Sequence, residues 1–365
     1  MAARFVTFGE IMMRLKTEDF LRFRQALPGR LEATFAGAEA NVAASLALLG
    51  ADASFVTTLP SHPIADACLG SLRNLGVDVS RVARAGKGRL GIYFVEAGAN
   101  QRPSNVIYDR DGSSVALADP ASYDWDGILG GASWFHWTGI TPALSRAAAE
   151  AVRNGVRRAK DLGLTVSCDL NFRKKLWAWE TGTSPNALAS RVMRELLPYV
   201  EVLVANEEDA KDVLGIDVGS LDASRGTLDA GRYPEVARRI AEQFPGIRKI
   251  AFTLRESVSA THNDWGGMIF DTASGSASFA PVEDGAYRPY PIRSIVDRIG
   301  GGDSFSAALI LALTDPGLGG SDADVVAFAT AASCLCHSIH GDFNFSTREE
   351  VLALAGGKTS GRIVR

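Results

Sequence analysis

The chain has 365 residues, of which 46% are hydrophobic and 22% are charged, a composition typical of soluble globular proteins. Its 38 basic and 42 acidic residues are mixed along the sequence and leave a net charge of −4, so neither nucleic acid nor a membrane is expected as a partner. Cys68, Cys168, Cys334 and Cys336 lack disulfide or zinc-site spacing, and no apolar run reaches transmembrane length. Without a recognisable secretory leader, a cytoplasmic protein with reduced thiols is expected.

Apolar periodicity predicts strands and helices that alternate along most of the chain. The predicted strands are Phe5–Phe8, Met12–Leu15, Arg30–Phe35, Ser54–Leu59, Gly91–Glu96, Asn105–Asp109, Trp134–Trp137, Leu164–Asp169, Glu201–Asn206, Lys249–Leu254 and Ser294–Asp297. The predicted helices are one opening within Phe35–Val42 and ending at Gly50, Ala65–Leu75, Arg146–Leu162, Ala189–Leu197, Glu207–Leu214, Pro234–Phe244, one from Asp303 to Leu313, Asp322–Ile339 and Thr347–Ala355.

This alternation predicts the α/β class, with an open, mostly parallel sheet and helices on both faces. The segments near residues 10–35 and 88–118 break the alternation. They are predicted to form a small β-lid on a single domain that spans residues 1–365. The exposed antiparallel strands of this lid also suggest an interface between copies of the chain, because an uncovered sheet edge invites pairing.

A glycine-rich stretch near the C-terminal end has the strongest chemical pattern. Gly300, Gly301 and Gly302 interrupt regular structure after the predicted strand, and Asp303 stands where a helix is expected to start. Three glycines place unobstructed backbone N–H groups at a helix N-terminus, which can bind an anion. The Asp303 carboxylate beside them could take a proton from a hydroxyl. By itself, the pattern fits a helix N-cap after a flexible turn equally well.

Two separated stretches together resemble the signatures of the ribokinase-like (phosphofructokinase-B type) carbohydrate kinases. The first is Gly37–Ala38–Glu39–Ala40–Asn41–Val42–Ala43, and the second runs from Asp297 through the three glycines to Phe305. Further stretches are similar to the bacterial 2-keto-3-deoxygluconate kinases within that family, among them Phe8–Gly9–Glu10–Ile11–Met12–Met13–Arg14–Leu15, Cys168–Asp169–Leu170–Asn171–Phe172–Arg173 and Gly341–Asp342–Phe343–Asn344. The family's usual glycine-alanine-glycine has Gly301 in the middle here, which we expect to be tolerated.

The resemblance implies a role for each matching residue. Asp303 would be the catalytic base and the three glycines the anion hole. Sugar contacts are implied for Gly37, Asn41, Tyr93, Tyr108, Arg110, Arg173 and Asp342, and ATP contacts for Asn171, Asn206, Thr253 and Ser259. Asp209 stands in for the family's glutamate and would order Mg²⁺ indirectly.

The resemblance implies ATP- and Mg²⁺-dependent phosphorylation of 2-keto-3-deoxygluconate to its 6-phosphate in sugar-acid catabolism. Such a substrate carries a carboxylate, which Arg110, Arg173 and Arg14 could bind, since a guanidinium matches a carboxylate bidentately. The alternatives are a kinase of keto-deoxy-galactonate, fructose or a nucleoside, and a catalytically silent sugar-binding relative. The preference at C4 stays open at this point. Tyr93, Tyr108 and Arg110 could also be ordinary lid residues, and Asn206–Asp209 an ordinary helix cap.

Overall fold

The computed structural model of the protein describes residues 3–216 and 229–358. Its strands are β1 (Arg4–Phe8), β2 (Met12–Lys16), β3 (Glu32–Ala36), β4 (Asp52–Val56), β5 (Thr58–Pro60), β6 (Ala83–Ala85), β7 (Gly91–Glu96), β8 (Asn105–Asp109), β9 (Trp134–Thr138), β10 (Thr165–Asp169), β11 (Val202–Ala205), β12 (Lys249–Ser259), β13 (His262–Asp271), β14 (Ser276–Ala280), β15 (Val282–Glu283), β16 (Ala286–Tyr287) and β17 (Tyr290–Ile292).

The helices are α1 (Phe23–Ala26), α2 (Ala38–Leu48), α3 (Pro63–Asn74), α4 (Ser114–Leu117), α5 (Trp125–Leu129), α6 (Ile140–Leu144), α7 (Arg146–Asp161), α8 (Pro185–Leu196), α9 (Glu207–Leu214), α10 (Tyr233–Gln243), α11 (Gly301–Ala312), α12 (Asp322–Cys336) and α13 (Arg348–Ala355).

The main sheet has the strand order β14-β13-β12-β11-β10-β9-β1-β4, with β17 paired to β13. The strands from β12 to β4 in this order are parallel, and β13 pairs antiparallel with β12, β14 and β17. The predicted open, mostly parallel sheet is confirmed. The hairpin of β12 and β13 was not predicted, and it carries β12 five residues past the expected end at Leu254.

Helices cover both faces of this sheet because successive strand residues point to opposite sides. In β11, Leu203 belongs to an apolar cluster with α7, α8 and α10, whereas Val204 belongs to a cluster with α2, α11, α12 and α13 on the other face. The residues of β1, β4, β9, β10 and β11 are buried almost throughout, as expected for a parallel sheet that is covered on both faces.

A second sheet, in the order β3-β2-β7-β8, forms the expected lid. Strands β2 and β7 are parallel, and the two outer pairs are antiparallel. Its strands lie within residues 12–36 and 91–109. Strands β3 and β8 are the two edges of this sheet, and β8 is largely exposed.

The prediction of a strand at Ser294–Asp297 is wrong. This segment is irregular, because its amides bond to scattered acceptors: Ile295 N–H donates to Thr261 O, and Val296 N–H donates to His337 O. The following helix α11 starts at Gly301, two residues earlier than predicted, and Gly300 is its N-cap. The segment therefore leads directly into the helix N-terminus at the end of the main sheet where the parallel strands finish.

Candidate active site

A cleft of about 390 Å³ lies between the lid and the carboxyl ends of the parallel strands. This is where an open α/β sheet usually binds ligands. Most of the predicted site residues line it: Gly37, Asn41, Tyr93, Tyr108, Arg110, Asn171, Arg173, Asn206, Asp209, Thr253, Gly300, Gly301, Gly302, Asp303 and Asp342. Arg14 and Ser259 do not line it.

The three glycines at the start of α11 differ in the space that each leaves for a side chain. Gly300 has φ +88°, and a Cβ there would lie 2.2 Å from the Asp342 carbonyl oxygen. At Gly301 a Cβ would lie 2.9 Å from Cε1 of His337. At Gly302 a Cβ would meet no atom within 4 Å. The first two positions therefore exclude a side chain for structural reasons, while the third keeps open space on the cleft wall.

The amides of this turn lack partners within the helix. The first intrahelical bond joins Ser304 N–H to Gly300 O, so the N–H groups of Gly301, Gly302 and Asp303 have no intrahelical acceptor. They lie at the positive end of the α11 dipole, where an anion is stabilised. We call Gly300–Gly302 the glycine turn.

Asn41 connects the first motif to Asp303. Its Nδ2 donates to Asp303 Oδ2 at 2.7 Å, and its Oδ1 accepts a bond from Gly37 N–H at 3.2 Å. Helix α2, which carries Asn41, is fixed by the buried Glu39, whose Oε1 accepts bonds from the backbone and hydroxyl of Thr138. Asn41 was predicted to contact the sugar, and the structure places it directly on the carboxylate of Asp303.

The carboxyl group of Asp303 has an altered acidity. Burial raises its pKa to about 6, while the Asn41 hydrogen bond and the Arg173 charge act in the opposite direction. A carboxylate with such a pKa is ionised at neutral pH and still holds a proton better than an ordinary aspartate. This suits a group that takes a proton from a hydroxyl.

The lid side of the cleft is built on two tyrosines and Asp342. Tyr93 is buried and its hydroxyl donates to Asp342 Oδ2 at 2.7 Å. Tyr108 is 47% exposed, and its ring centroid lies 5.9 Å from that of Tyr93. Burial raises the pKa of Asp342 to about 6, opposed by the charge of Arg14.

The two predicted carboxylate-binding arginines of the cleft are in different situations. Arg110 is 6% exposed, and its Nε donates to Oε2 of the buried Glu10 at 2.7 Å, with Nη2 on the same oxygen. Its charge is therefore shared with an acidic side chain that the sequence interpretation had not assigned. Arg173 is exposed, and it has no ion pair with an acidic side chain within residues 3–216 and 229–358.

Arg14 is buried behind the cleft wall. Its Nη2 lies 2.5 Å from Asp297 Oδ2 and its Nη1 lies 2.9 Å from Asp342 Oδ1. Both ends of its guanidinium therefore contact protein carboxylates, instead of facing a substrate carboxylate as expected. Ser259 is the last residue of β12, and its carbonyl accepts a bond from Arg298.

The opposite end of the cleft is formed by the loops after β10 and β11. Asn171 has the left-handed φ of +38°, and its buried Oδ1 has no hydrogen-bond partner among the described residues. Asp209 is buried in a capping box with Asn206 and also accepts a bond from Phe172 N–H at 3.0 Å. The helix-cap interpretation of Asn206–Asp209 is thus correct, and both residues also line the cleft.

Several lining residues were missed by the sequence interpretation. Those beside the glycine turn are Asn263, Trp265, Arg298 and His337, and those elsewhere include Glu10 and Asp169. Glu10, Asp169 and Arg298 lie inside the motif stretches and could have been considered from the sequence. Asn263 and Trp265 come from the hairpin that was not predicted.

Asp169 and His337 have shifted acidities. Burial and the like charges of Asp209 and Asp303 raise the pKa of Asp169 well above its usual range. Burial lowers the pKa of His337 to about 4, so its ring is neutral at pH 7, and its Nδ1 bonds to Ser333 O at 2.8 Å.

Within the described residues no group of three or more His, Cys, Asp or Glu side chains is arranged to hold a metal ion. Nor does that part of the chain contain a helix long and apolar enough to cross a membrane.

The chain is similar to known carbohydrate kinases. A family model described as pfkB family carbohydrate kinase matches residues 2–236. A 2-dehydro-3-deoxygalactonokinase of Haloferax volcanii is 32% identical over 362 residues, covering 99% of this chain and 99% of that protein. A 2-dehydro-3-deoxygluconokinase of Thermoproteus tenax is 28% identical over 338 residues, covering 89% and 88%.

A solved structure is also similar along nearly the whole chain. The crystal structure of a 2-dehydro-3-deoxygluconokinase from Thermotoga maritima has a TM-score of 0.87 to this chain at 43% sequence identity. The match covers 97% of this chain and 100% of that one. With its sheet, its lid, its glycine turn and these relatives, the chain belongs to the pfkB family of carbohydrate kinases.

Proposed function

We propose that this protein transfers a phosphoryl group from ATP to the terminal hydroxyl of 2-keto-3-deoxygluconate (2-dehydro-3-deoxygluconate), giving the 6-phosphate. The observation that carries the proposal is the pairing of Asp303 with the glycine turn. A carboxylate held by Asn41 lies beside three backbone N–H groups at a helix N-terminus, on the wall of a cleft. The names of the whole-length relatives support the choice of sugar acid.

The reaction requires a base and stabilisation of negative charge. Asp303 Oδ2 is engaged by Asn41, which leaves Oδ1 to accept the proton of the attacking hydroxyl. The hydroxyl oxygen then bonds to the transferring phosphorus as the bond to the leaving oxygen of ADP breaks. The N–H groups of Gly301, Gly302 and Asp303 would donate to the phosphoryl oxygens, where negative charge accumulates in the transition state.

The nucleotide would occupy the part of the cleft beyond the glycine turn. The orphaned Oδ1 of Asn171 and the open space at Gly302 fit a polar ligand there. Arg255 and Arg298 add positive charge, and within the described ranges neither guanidinium forms an ion pair; that of Arg298 donates to Ser259 O and Asn263 Oδ1. We therefore assign phosphate contacts to these arginines together with Asn171, Asn206 and Thr253.

The same end of the cleft fits a divalent cation bound with ATP. The charges of Asp209 and Asp303, together with burial, raise the pKa of Asp169. This shift indicates a negative potential at this end of the cleft, which favours a cation. When bound, Mg²⁺ neutralises charge on the phosphates. Both carboxylate oxygens of Asp209 accept backbone N–H bonds, so its contribution would be indirect, through the shape of the loop after β10.

The sugar acid would lie between the lid and Asp303. Gly37, Tyr93, Tyr108 and Asp342 would contact its body. Arg173 would bind the carboxylate most strongly, because it is exposed in the cleft and lacks an acidic partner in the described ranges. Arg110 would contribute less net charge, since Glu10 already neutralises it.

A C4 epimer is the second candidate substrate. The Haloferax volcanii relative, similar along its whole length, is named for the galactonate epimer. Both epimers carry the carboxylate and the terminal hydroxyl, so the same residues would act on either. A neutral sugar or nucleoside would leave Arg173 without its proposed partner, and a silent relative would not require Asp303 beside the glycine turn.

The lid would also join two copies of the chain. Its edge strand β8 is open, and Ile107 is 47% exposed there. An open strand of this kind can pair with a second copy. Light scattering should then give a dimer that Ile107→Lys weakens, and a strictly monomeric wild type would contradict this.

A coupled ADP-release screen tests the proposed reaction. It should compare keto-deoxy-gluconate, keto-deoxy-galactonate, fructose, ribose and a nucleoside, each with ATP and Mg²⁺, for the wild type and for Asp303→Asn. The proposal expects turnover with one or both acids and little with the neutral compounds. Fructose as the preferred substrate would favour the neutral-sugar alternative, and no turnover with any compound would favour a silent relative.

A further inference from the structure

Arg14 links two parts of the cleft that are far apart in sequence. It is on strand β2 of the lid, and its side chain is only 2% exposed. One end of its guanidinium pairs with Asp342 at 2.9 Å, and the other pairs with Asp297 at 2.5 Å. Asp342 lines the cleft, whereas Asp297 precedes the glycine turn by three residues.

Each of the two carboxylates holds something further in place. Asp342 Oδ2 accepts a hydrogen bond from the hydroxyl of Tyr93 on lid strand β7, and we call these two residues the floor of the sugar site. Asp297 Oδ1 accepts the N–H of Arg298 at 2.9 Å and the N–H of Ile299 at 3.4 Å. Asp297 therefore sets the path of the chain immediately before Gly300.

The backbone joins the same two parts a second time. Gly341 N–H donates to Asp297 Oδ2 at 3.4 Å. Gly300 packs against the carbonyl group of Asp342, and a Cβ at Gly300 would lie only 2.2 Å from that carbonyl oxygen. The two segments can therefore pack together only because residue 300 is glycine. A shift of Asp342 would thus be transmitted to Gly300 by contact as well as by charge.

We propose that Arg14 is a positioning residue that fixes the glycine turn relative to the floor of the sugar site. It acts through Asp297 on the turn and through Asp342 on the floor, without contacting the substrate. A guanidinium suits this role because its two ends can pair with two carboxylates at once in a fixed plane. A lysine in its place has a single ammonium nitrogen, which cannot occupy the positions of both guanidinium nitrogens at once.

The inference rests on the proposed function for its kinetic consequence. If the glycine turn binds the transferring phosphoryl, a displacement of about 1 Å costs roughly a hundred-fold in rate. Loss of Arg14 should then lower kcat at saturating sugar acid and ATP. A direct contact with the substrate carboxylate, made equally in ground and transition states, would instead raise KM and leave kcat unchanged.

The test compares Arg14→Lys with Lys16→Met. Lys16 is a second buried cation on the same strand, 3.7 Å from Asp297 and without an ion pair to Asp342 among the described residues. We expect Arg14→Lys to lower kcat roughly ten- to a hundred-fold and Lys16→Met to change it little. Asp297→Asn, which is nearly isosteric, removes the other partner of the Arg14–Asp297 pair and should lower kcat in the same way. This variant replaces Arg14→Lys in the test if Arg14→Lys does not fold.

Hydrogen exchange without any ligand supplies the second readout. Peptides covering residues 297–305 should lose protection in Arg14→Lys and keep it in Lys16→Met. Unchanged exchange with a raised KM for the acid and a normal kcat would show Arg14 to be a substrate ligand and overturn the proposal. Normal exchange with normal kinetics would overturn it too. A wild type inactive on sugar acids would refute the proposed function, while the exchange result would still decide the role of Arg14.

Discussion

Replacing Gly302 by alanine should separate stability from activity. Gly302 is the second residue of α11 and has no positive φ. A Cβ added at this position would have no atom within 4 Å. Alanine is up to about 1 kcal/mol better than glycine inside a helix. The variant should therefore be as stable as the wild type or slightly more stable.

Its turnover should nevertheless fall. The new methyl group would point into the open part of the cleft wall, where the phosphoryl group is proposed to bind. A displacement of about 1 Å there costs roughly a hundred-fold in kcat, and Gly302→Val should lose more because valine is larger. Thermal unfolding and steady-state kinetics measure the two effects. A stable Gly302→Ala with wild-type kcat would refute the assignment of the glycine turn to phosphoryl binding.

Gly301→Ala is the matched comparison. Its Cβ would lie 2.9 Å from Cε1 of His337. The His337 ring cannot easily move away, because its Nδ1 is hydrogen-bonded to Ser333 O and its centroid lies 4.6 Å from that of the Trp265 ring. Overpacking of this kind costs about 1–3 kcal/mol. Gly301→Ala should therefore unfold at a lower temperature than Gly302→Ala, and His337→Ala in the same chain should recover part of the loss. Equal melting temperatures for the two alanine variants would show the packing argument to be wrong.

The remaining predictions concern Asp303 and the arginines. The kcat/KM of the wild type should fall as pH drops below about 6, because protonated Asp303 cannot accept the hydroxyl proton, and a profile flat from pH 8 to 5 would exclude it as the base. Asn41→Ala should move that limb to higher pH, because the lost hydrogen bond stabilises the ionised carboxylate, and an unmoved limb would count against this contact. Arg173→Ala should weaken apparent binding of the sugar acid roughly ten- to a hundred-fold with little change in melting temperature, since it is exposed. Arg110→Ala should also lower the melting temperature, because Glu10 would stay buried without its partner, at a cost of about 3–5 kcal/mol; similar melting temperatures for the two arginine variants would contradict this.

Much of the fold could be predicted because its strands are buried and its helices periodic. The apolar runs at Phe5–Phe8, Trp134–Trp137 and Leu164–Asp169 correspond to β1, β9 and β10 within a residue or so. The hairpin after Lys249 could not be predicted in the same way. Its outer half is polar and partly exposed, and the β12–β13 ladder, rather than burial, holds it extended.

The predicted site depended on glycines and motif spacing, which reveal backbone requirements well. They do not reveal which charges meet. Arg14 and Arg110 were expected to face a substrate carboxylate, yet their partners are Asp297, Asp342 and Glu10. Each of these pairs joins residues at least 100 positions apart, so only the folded chain specifies them.

The role of Asp303 as the base for phosphorylation of the sugar acid is tested by the reaction of wild type and Asp303→Asn with 2-keto-3-deoxygluconate and ATP. Phosphorus NMR would identify the phosphorylated position, and calorimetry would measure binding of the acid to both proteins. We expect a 6-phosphate from the wild type, and in Asp303→Asn we expect wild-type affinity for the acid with turnover reduced by roughly two to four orders of magnitude. Undiminished turnover in Asp303→Asn, or a phosphate on another oxygen, would contradict it.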